Sequence, residues 1–121
     1  MRNPCRRWPL WKPSREQNRR DRRVDIARRE LTTAMTIAAI GNLAIVGIPG
    51  ELFVELGLAI QATPYFAQTF VAGYCNDLIG YIPTCAAYPE GGYEVDTARV
   101  AEGSGETIVD TALTALAAMR A

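Results

Sequence analysis

Two short stretches hold most of the residues that could do chemistry. IVGIPGE (residues 45–51) ends in a carboxylate, Glu51, and VAGYCNDLIGYIPTCAAYPEGGYE (residues 71–94) carries Asn76, Asp77, Tyr81, Thr84 and Tyr93. Carboxylates, amides and phenols bind cations, move protons or orient polar substrates. The sequence contains no histidine. A zinc site of cysteine and histidine alone is therefore not expected, and no serine or cysteine has an imidazole base beside it. The cysteines, Cys5, Cys75 and Cys85, form no CxxC pair; Cys75 and Cys85 read either as free small hydrophobes or as a pair closed across the loop. Gly47-Ile48-Pro49-Gly50 lacks both the dinucleotide spacing and the lysine of a phosphate loop.

The elements that must position these groups follow from pattern. Residues 31–40, LTTAMTIAAI, are β-prone, and Gly41-Asn42 is a two-residue hairpin signal. The apolar run over residues 43–48 predicts a strand buried on both faces. Pro49 and Glu51 suit the first turn of a helix over residues 51–62, with Leu52, Leu56, Ala59 and Ile60 on one side. Residues 68–74 predict a second strand. Strand, helix and strand with short connections imply a right-handed β-α-β unit and parallel pairing.

Thr84 suits the cap of a short helical turn through Ala87, and Tyr93-Glu94-Val95 is expected to be extended after Gly91-Gly92. A closing helix is predicted over residues 103–120, capped by Ser104, with Ile108, Ala112, Leu116 and Met119 on one side. The fold class is α/β: a β-hairpin, a β-α-β unit with a mostly parallel sheet, and a C-terminal helix. Ligands of such sheets bind beyond the C-terminal ends of the strands. That connectivity alone brings Glu51 and the loop over residues 76–81 to one crevice.

Each residue also has a purely structural reading. Glu51 in a first helical turn is favourable through the helix dipole. Asn76-Asp77 is ordinary turn chemistry. Tyr81, Tyr88 and Tyr93 suit a boundary between core and water.

Charge is divided along the chain. Residues 1–30 carry a net +7 and the remainder −7. Residues 1–25 read as a basic, proline-broken leader without order of its own, and residues 26–121 as the folded part. A basic arm can contact nucleic acid, but this one has no heptad and no groove-reading motif, so no nucleic-acid partner is expected. No signal peptide is recognisable, since the first 30 residues lack an apolar core segment. The most apolar run, residues 37–50, is too short for a transmembrane segment and is broken by Gly-Asn and Pro-Gly.

IVGIPGE, VAGYCNDLIGYIPT and AYPEGGYE, in that order and spacing, resemble the C-terminal part of the catalytic domain of neutral/alkaline, non-lysosomal ceramidases, and more closely the shorter bacterial ceramidase-like proteins. The shared pattern is a strand ending in Pro-Gly-Glu, a helix, a strand, Ala-Gly-x-x-Asn, Tyr-Ile-x-Thr and a later Tyr-Glu. It covers residues 39–94, with residues 101–116 fitting the closing helix more loosely. Leu78, Pro83 and Ala86-Ala87 depart from the pattern of the larger enzymes.

The resemblance implies a zinc-dependent hydrolase of N-acyl amides, in that family splitting the sphingolipid ceramide into sphingosine and fatty acid. Family zinc is held by two histidines, a glutamate and a tyrosine; Glu51 and Tyr81 match the last two. Asn76, Thr84 and Tyr93 match surrounding or pocket positions. It further implies that this chain is a fragment lacking the histidine ligands, inactive and with zinc loosely held on its own, whose partner would be the N-terminal part of such a domain. Family members are often secreted or periplasmic. The alternative is a non-catalytic α/β binding or interaction module.

Overall fold

The computed structural model describes residues 31–120. The expected leader over residues 1–25, and Cys5 with it, lies outside the described residues. The hairpin forms where its turn signal stands. β1 (Thr36–Ile40) and β2 (Leu43–Gly47) pair antiparallel with Ile40 opposite Leu43. Gly41, at φ 58°, supplies the left-handed backbone that a tight two-residue turn requires.

After β2 the chain forms β3 (Glu51–Leu52) and then helix α1 (Val54–Gln61). β4 (Gln68–Ala72) returns parallel to β2, with Leu43 opposite Gln68, so the main sheet runs in the order β1-β2-β4. A second sheet consists of β3 and β5 (Tyr81–Ile82), also parallel. Three helices follow: α2 (Ala87–Glu90), α3 (Tyr93–Thr97) and α4 (Ser104–Ala118). The hairpin, the parallel strands and the C-terminal helix make the expected α/β fold. Among the described residues, no helix is long and apolar enough to cross a membrane.

One core unites these elements. Ala44 and Val46 of β2 cluster with Ile48 just beyond that strand, Leu56 and Ile60 of α1, Ile82 of β5, and Val109, Ala112 and Leu116 of α4. Ile48, Ile60, Ile82 and Leu116 are fully enclosed, and each such side chain contributes roughly 1.5–3 kcal/mol by leaving water.

Four expectations are corrected. Glu51 is not in a helical turn: its N–H donates to the Gly80 carbonyl at 2.9 Å, a strand ladder, and the helix starts only at Val54. The first strand is not enclosed on both faces. Ile45 is 39% exposed, on the open side of the sheet opposite Phe70 in register. Tyr93-Glu94-Val95 is not extended but begins α3, closed by the Asp96 N–H on the Gly92 carbonyl at 2.9 Å. Finally, α4 starts after Gly103, whose left-handed φ of 89° occupies the cap position expected of Ser104. Its enclosed stripe is Gly105, Val109, Ala112 and Leu116, with Met119 exposed. Gly105 sets that phase, since a Cβ there would stand 2.5 Å from Leu56 Cδ1 and 2.7 Å from the Pro83 carbonyl.

Candidate functional site

β2 and β4 run in the same direction, so the segments leaving them emerge at the same edge of the main sheet. There β3 and β5 meet, and Glu51 is the direct register partner of Tyr81. The pairing is held by Glu51 N–H to the Gly80 carbonyl at 2.9 Å and Phe53 N–H to the Ile82 carbonyl at 3.1 Å. Gly50 makes the approach possible: a Cβ at that position would lie 2.5 Å from the Gly80 oxygen. Side chains alternate faces along a strand, so register partners project to the same face. The carboxylate and the phenol thus stand side by side.

A third group joins them. The Tyr74 hydroxyl donates to the Glu51 carboxylate. This bond, then partial loss of water and the negative charge of Glu51, push the Tyr74 phenol up to about 12. The charge of Glu51 is also the main cause holding the Tyr81 phenol above its ordinary range, followed by desolvation and by Tyr93 and Glu94. Tyr93 packs the edge of its ring against Tyr81, centroids 6.1 Å apart and planes at 78°. A cleft of about 310 Å³ opens beside Glu51 and Tyr74, with Leu52, Phe53, Leu58 and Val71 in its walls.

The other two expected site residues have bonds of their own. The Asn76 side-chain amide donates to Thr36 Oγ1 at 2.6 Å, tying the loop after β4 to the start of β1. Thr84 Oγ1 accepts the Ala87 N–H at 3.2 Å, which closes the turn that leads into α2. Tyr88 is a core boundary residue, its hydroxyl bonded to the Val100 carbonyl at 2.8 Å. Cys75 and Cys85 are both free thiols. Cys85 is held by Glu106, whose carboxylate accepts its N–H at 2.8 Å and its thiol at 3.3 Å.

The donor set suits a cation in part. An exposed carboxylate beside a phenol offers two oxygen ligands on one face. A neutral phenol is a poor ligand, and the adjacent carboxylate makes it harder to ionise, so only a metal's own charge would convert it to phenolate. Among the described residues, no group of three or more His, Cys, Asp or Glu is placed to hold a metal. In the sequence Tyr74 reads as the end of a strand, and nothing in its spacing marks it as a partner of Glu51.

No protein-family profile and no curated protein matches this sequence. Among solved structures, the fold is similar to that of neutral ceramidase from Pseudomonas aeruginosa, with a TM-score of 0.54 and 22% sequence identity over 69% of this chain. The match covers 15% of that protein's chain, so the fold is shared with a small part of a much longer polypeptide.

Proposed function

We propose that this chain is the C-terminal part of a ceramidase-like zinc amidase domain, contributing Glu51 and Tyr81 as two of four zinc ligands. The observation that supports the reading is the register pairing of those two side chains across β3 and β5. They are the two positions to which the sequence resemblance assigns metal binding. The fold shared with part of a neutral ceramidase agrees with it.

Bound zinc would polarise an amide carbonyl and lower the pKa of a bound water. The chain's own residues hold and shape that edge. Glu51 supplies an anionic oxygen, Tyr81 a phenol whose proton must leave on metal binding, and Tyr93 braces the Tyr81 ring. The substrate class is an N-acyl amide of sphingolipid type. Two ligands hold zinc weakly, and the sequence has no histidine to add, so the isolated chain is expected to have no measurable amidase activity. The partner is then a polypeptide bearing the histidine ligands.

Zinc titration by calorimetry, beside Glu51→Ala and Tyr81→Phe, tests this reading. Binding weakened by both substitutions supports it. Binding indifferent to both removes the metal assignment, and hydrolysis by the chain alone removes the claim of inactivity.

A second reading, a non-catalytic interaction module, is favoured by a different observation. α1 is apolar on two sides: Leu56 and Ile60 are buried, while Val54 and Leu58 are 66% and 57% exposed. Val54 and Leu58 stand one turn apart, an exposed apolar stripe on a helix that also presents Glu55 and Gln61 to water. For such a module, substituting Glu51 or Tyr81 would alter neither metal binding nor stability appreciably.

A further inference from the structure

Tyr74 is attached to the segment bearing Glu51 at two points. Its N–H donates to the Gly50 carbonyl at 3.1 Å, and its hydroxyl donates to the carboxylate of the next residue. The neighbouring backbone is equally constrained, since the Cys75 N–H bonds the Ile48 carbonyl at 2.9 Å. Tyr74 also sits at φ 55°, a left-handed conformation uncommon for a bulky side chain. A local backbone preference would not choose it; the tether to Gly50 and Glu51 does. Among the described residues, Tyr74 is the one side chain that donates to Glu51.

An exposed glutamate otherwise rotates freely about its side-chain bonds. One carboxylate oxygen taken by a fixed hydroxyl leaves the other aimed from a defined position beside Tyr81. Carboxylates that ligate metals are commonly held in this way by a hydrogen-bond donor behind them, and loss of such a partner weakens metal binding about 10- to 100-fold.

We propose that Tyr74 is a positioning residue, whose hydroxyl fixes the Glu51 carboxylate for a cation bound between Glu51 and Tyr81. The proposal rests on the metal-binding reading of those two residues. It assigns Tyr74 no contact with the metal.

The test is Tyr74→Phe, which removes the hydroxyl and keeps the ring and backbone. Zinc affinity is measured by calorimetry against wild type, Glu51→Gln and Tyr81→Phe, and the metal-free melting temperature is read for each. The expected result is a Tyr74→Phe affinity about 10- to 100-fold lower with an unchanged metal-free melting temperature. Affinity equal to or tighter than wild type overturns the proposal while leaving the metal reading intact, provided Glu51→Gln and Tyr81→Phe still weaken binding. A melting temperature that falls together with affinity assigns the hydroxyl to folding and also overturns it. Zinc binding indifferent to Glu51→Gln and Tyr81→Phe sinks the metal reading itself.

Where zinc is not held, terbium(III), which seeks oxygen donors and is excited by nearby tyrosines, replaces it as probe. An emission midpoint shifted to higher terbium concentration in both Glu51→Gln and Tyr74→Phe, with Tyr81 still present as sensitiser, supports positioning without zinc. Emission indifferent to Tyr74→Phe, or no binding of either ion, overturns it.

Discussion

Glu51 and Tyr81 are register partners in a two-residue parallel ladder, and the negative charge of the first opposes ionisation of the second. The same carboxylate accepts the Tyr74 hydroxyl. One anion thus opposes ionisation of two phenols at the edge where β3 and β5 pair.

That control predicts an anomalous tyrosine. Tyr74 is pushed from 10.0 to about 12 by its bond to Glu51. A raised value means the folded state holds its proton more tightly than the unfolded chain. The group is exposed, so solvent screening leaves only a small associated stability, present below 10 and lost as pH rises toward 12, and too small to move the melting temperature near neutral pH. Ultraviolet difference titration should show a late tyrosine that returns toward the ordinary range in Glu51→Gln. An unchanged late titration in that variant would separate Tyr74 from Glu51.

Much of this arrangement is legible in the sequence, and the rest has identifiable physical reasons for being hidden. Gly41-Asn42 marks the hairpin because few residues accept a left-handed turn. Short connections around α1 make β2 and β4 parallel. The β3–β5 ladder was not legible, since two residues are too few to carry a periodic pattern and the pairing depends on the missing Cβ of Gly50. The Asn76 bond is hidden for a related reason: the residue takes a left-handed backbone, at φ 68°, and its side chain bonds Thr36, 40 positions away in sequence. The phase of α4 is fixed by the contact of Gly105 with Leu56, a tertiary fact that hydrophobic spacing does not contain.

Cys85 is predicted to be a slow thiol. The hydrogen bond to Glu106 is the main cause raising it, and the Cys85 N–H is the main cause lowering Glu106 below its ordinary 4.5. A depressed carboxyl contributes stability above 4.5 that is lost as pH falls through its folded value. Glu106→Gln should therefore speed alkylation of Cys85, read by peptide mass spectrometry. It should also flatten the decline of the urea midpoint below pH 4.5. Alkylation at the wild-type rate would contradict the assignment.

Two helical glycines should respond oppositely to alanine. Nothing lies within 4 Å of a Cβ placed on Gly57, so Gly57→Ala should stabilise by about 0.5–1 kcal/mol through helix propensity. Gly105→Ala would drive its methyl to 2.5 Å from Leu56 Cδ1 and 2.7 Å from the Pro83 carbonyl. The Pro83 carbonyl is backbone and cannot swing aside, so a loss of about 1–3 kcal/mol is expected. Urea unfolding of the two variants checks both signs, and a neutral Gly105→Ala would mean that α4 packs farther from β5.

Arg120 fastens the end of α4 to the opposite end of the sheet from Glu51. Its guanidinium donates to the Tyr65 carbonyl at 2.9 Å, to the Gly41 carbonyl at 3.2 Å and to Asn42 Oδ1, and lies 4.3 Å from the centre of the Phe66 ring. A planar cation with several donors serves all of these at once, which a lysine cannot. Exposure limits what each bond contributes, so Arg120→Ala should cost about 1–2 kcal/mol, and Arg120→Lys should recover less than half of it. Because the hairpin turn and the Tyr65–Phe66 loop both bond this side chain, hydrogen exchange should accelerate at Gly41 and Phe66 together in Arg120→Ala. Faster exchange at one without the other would show that the two segments are held independently.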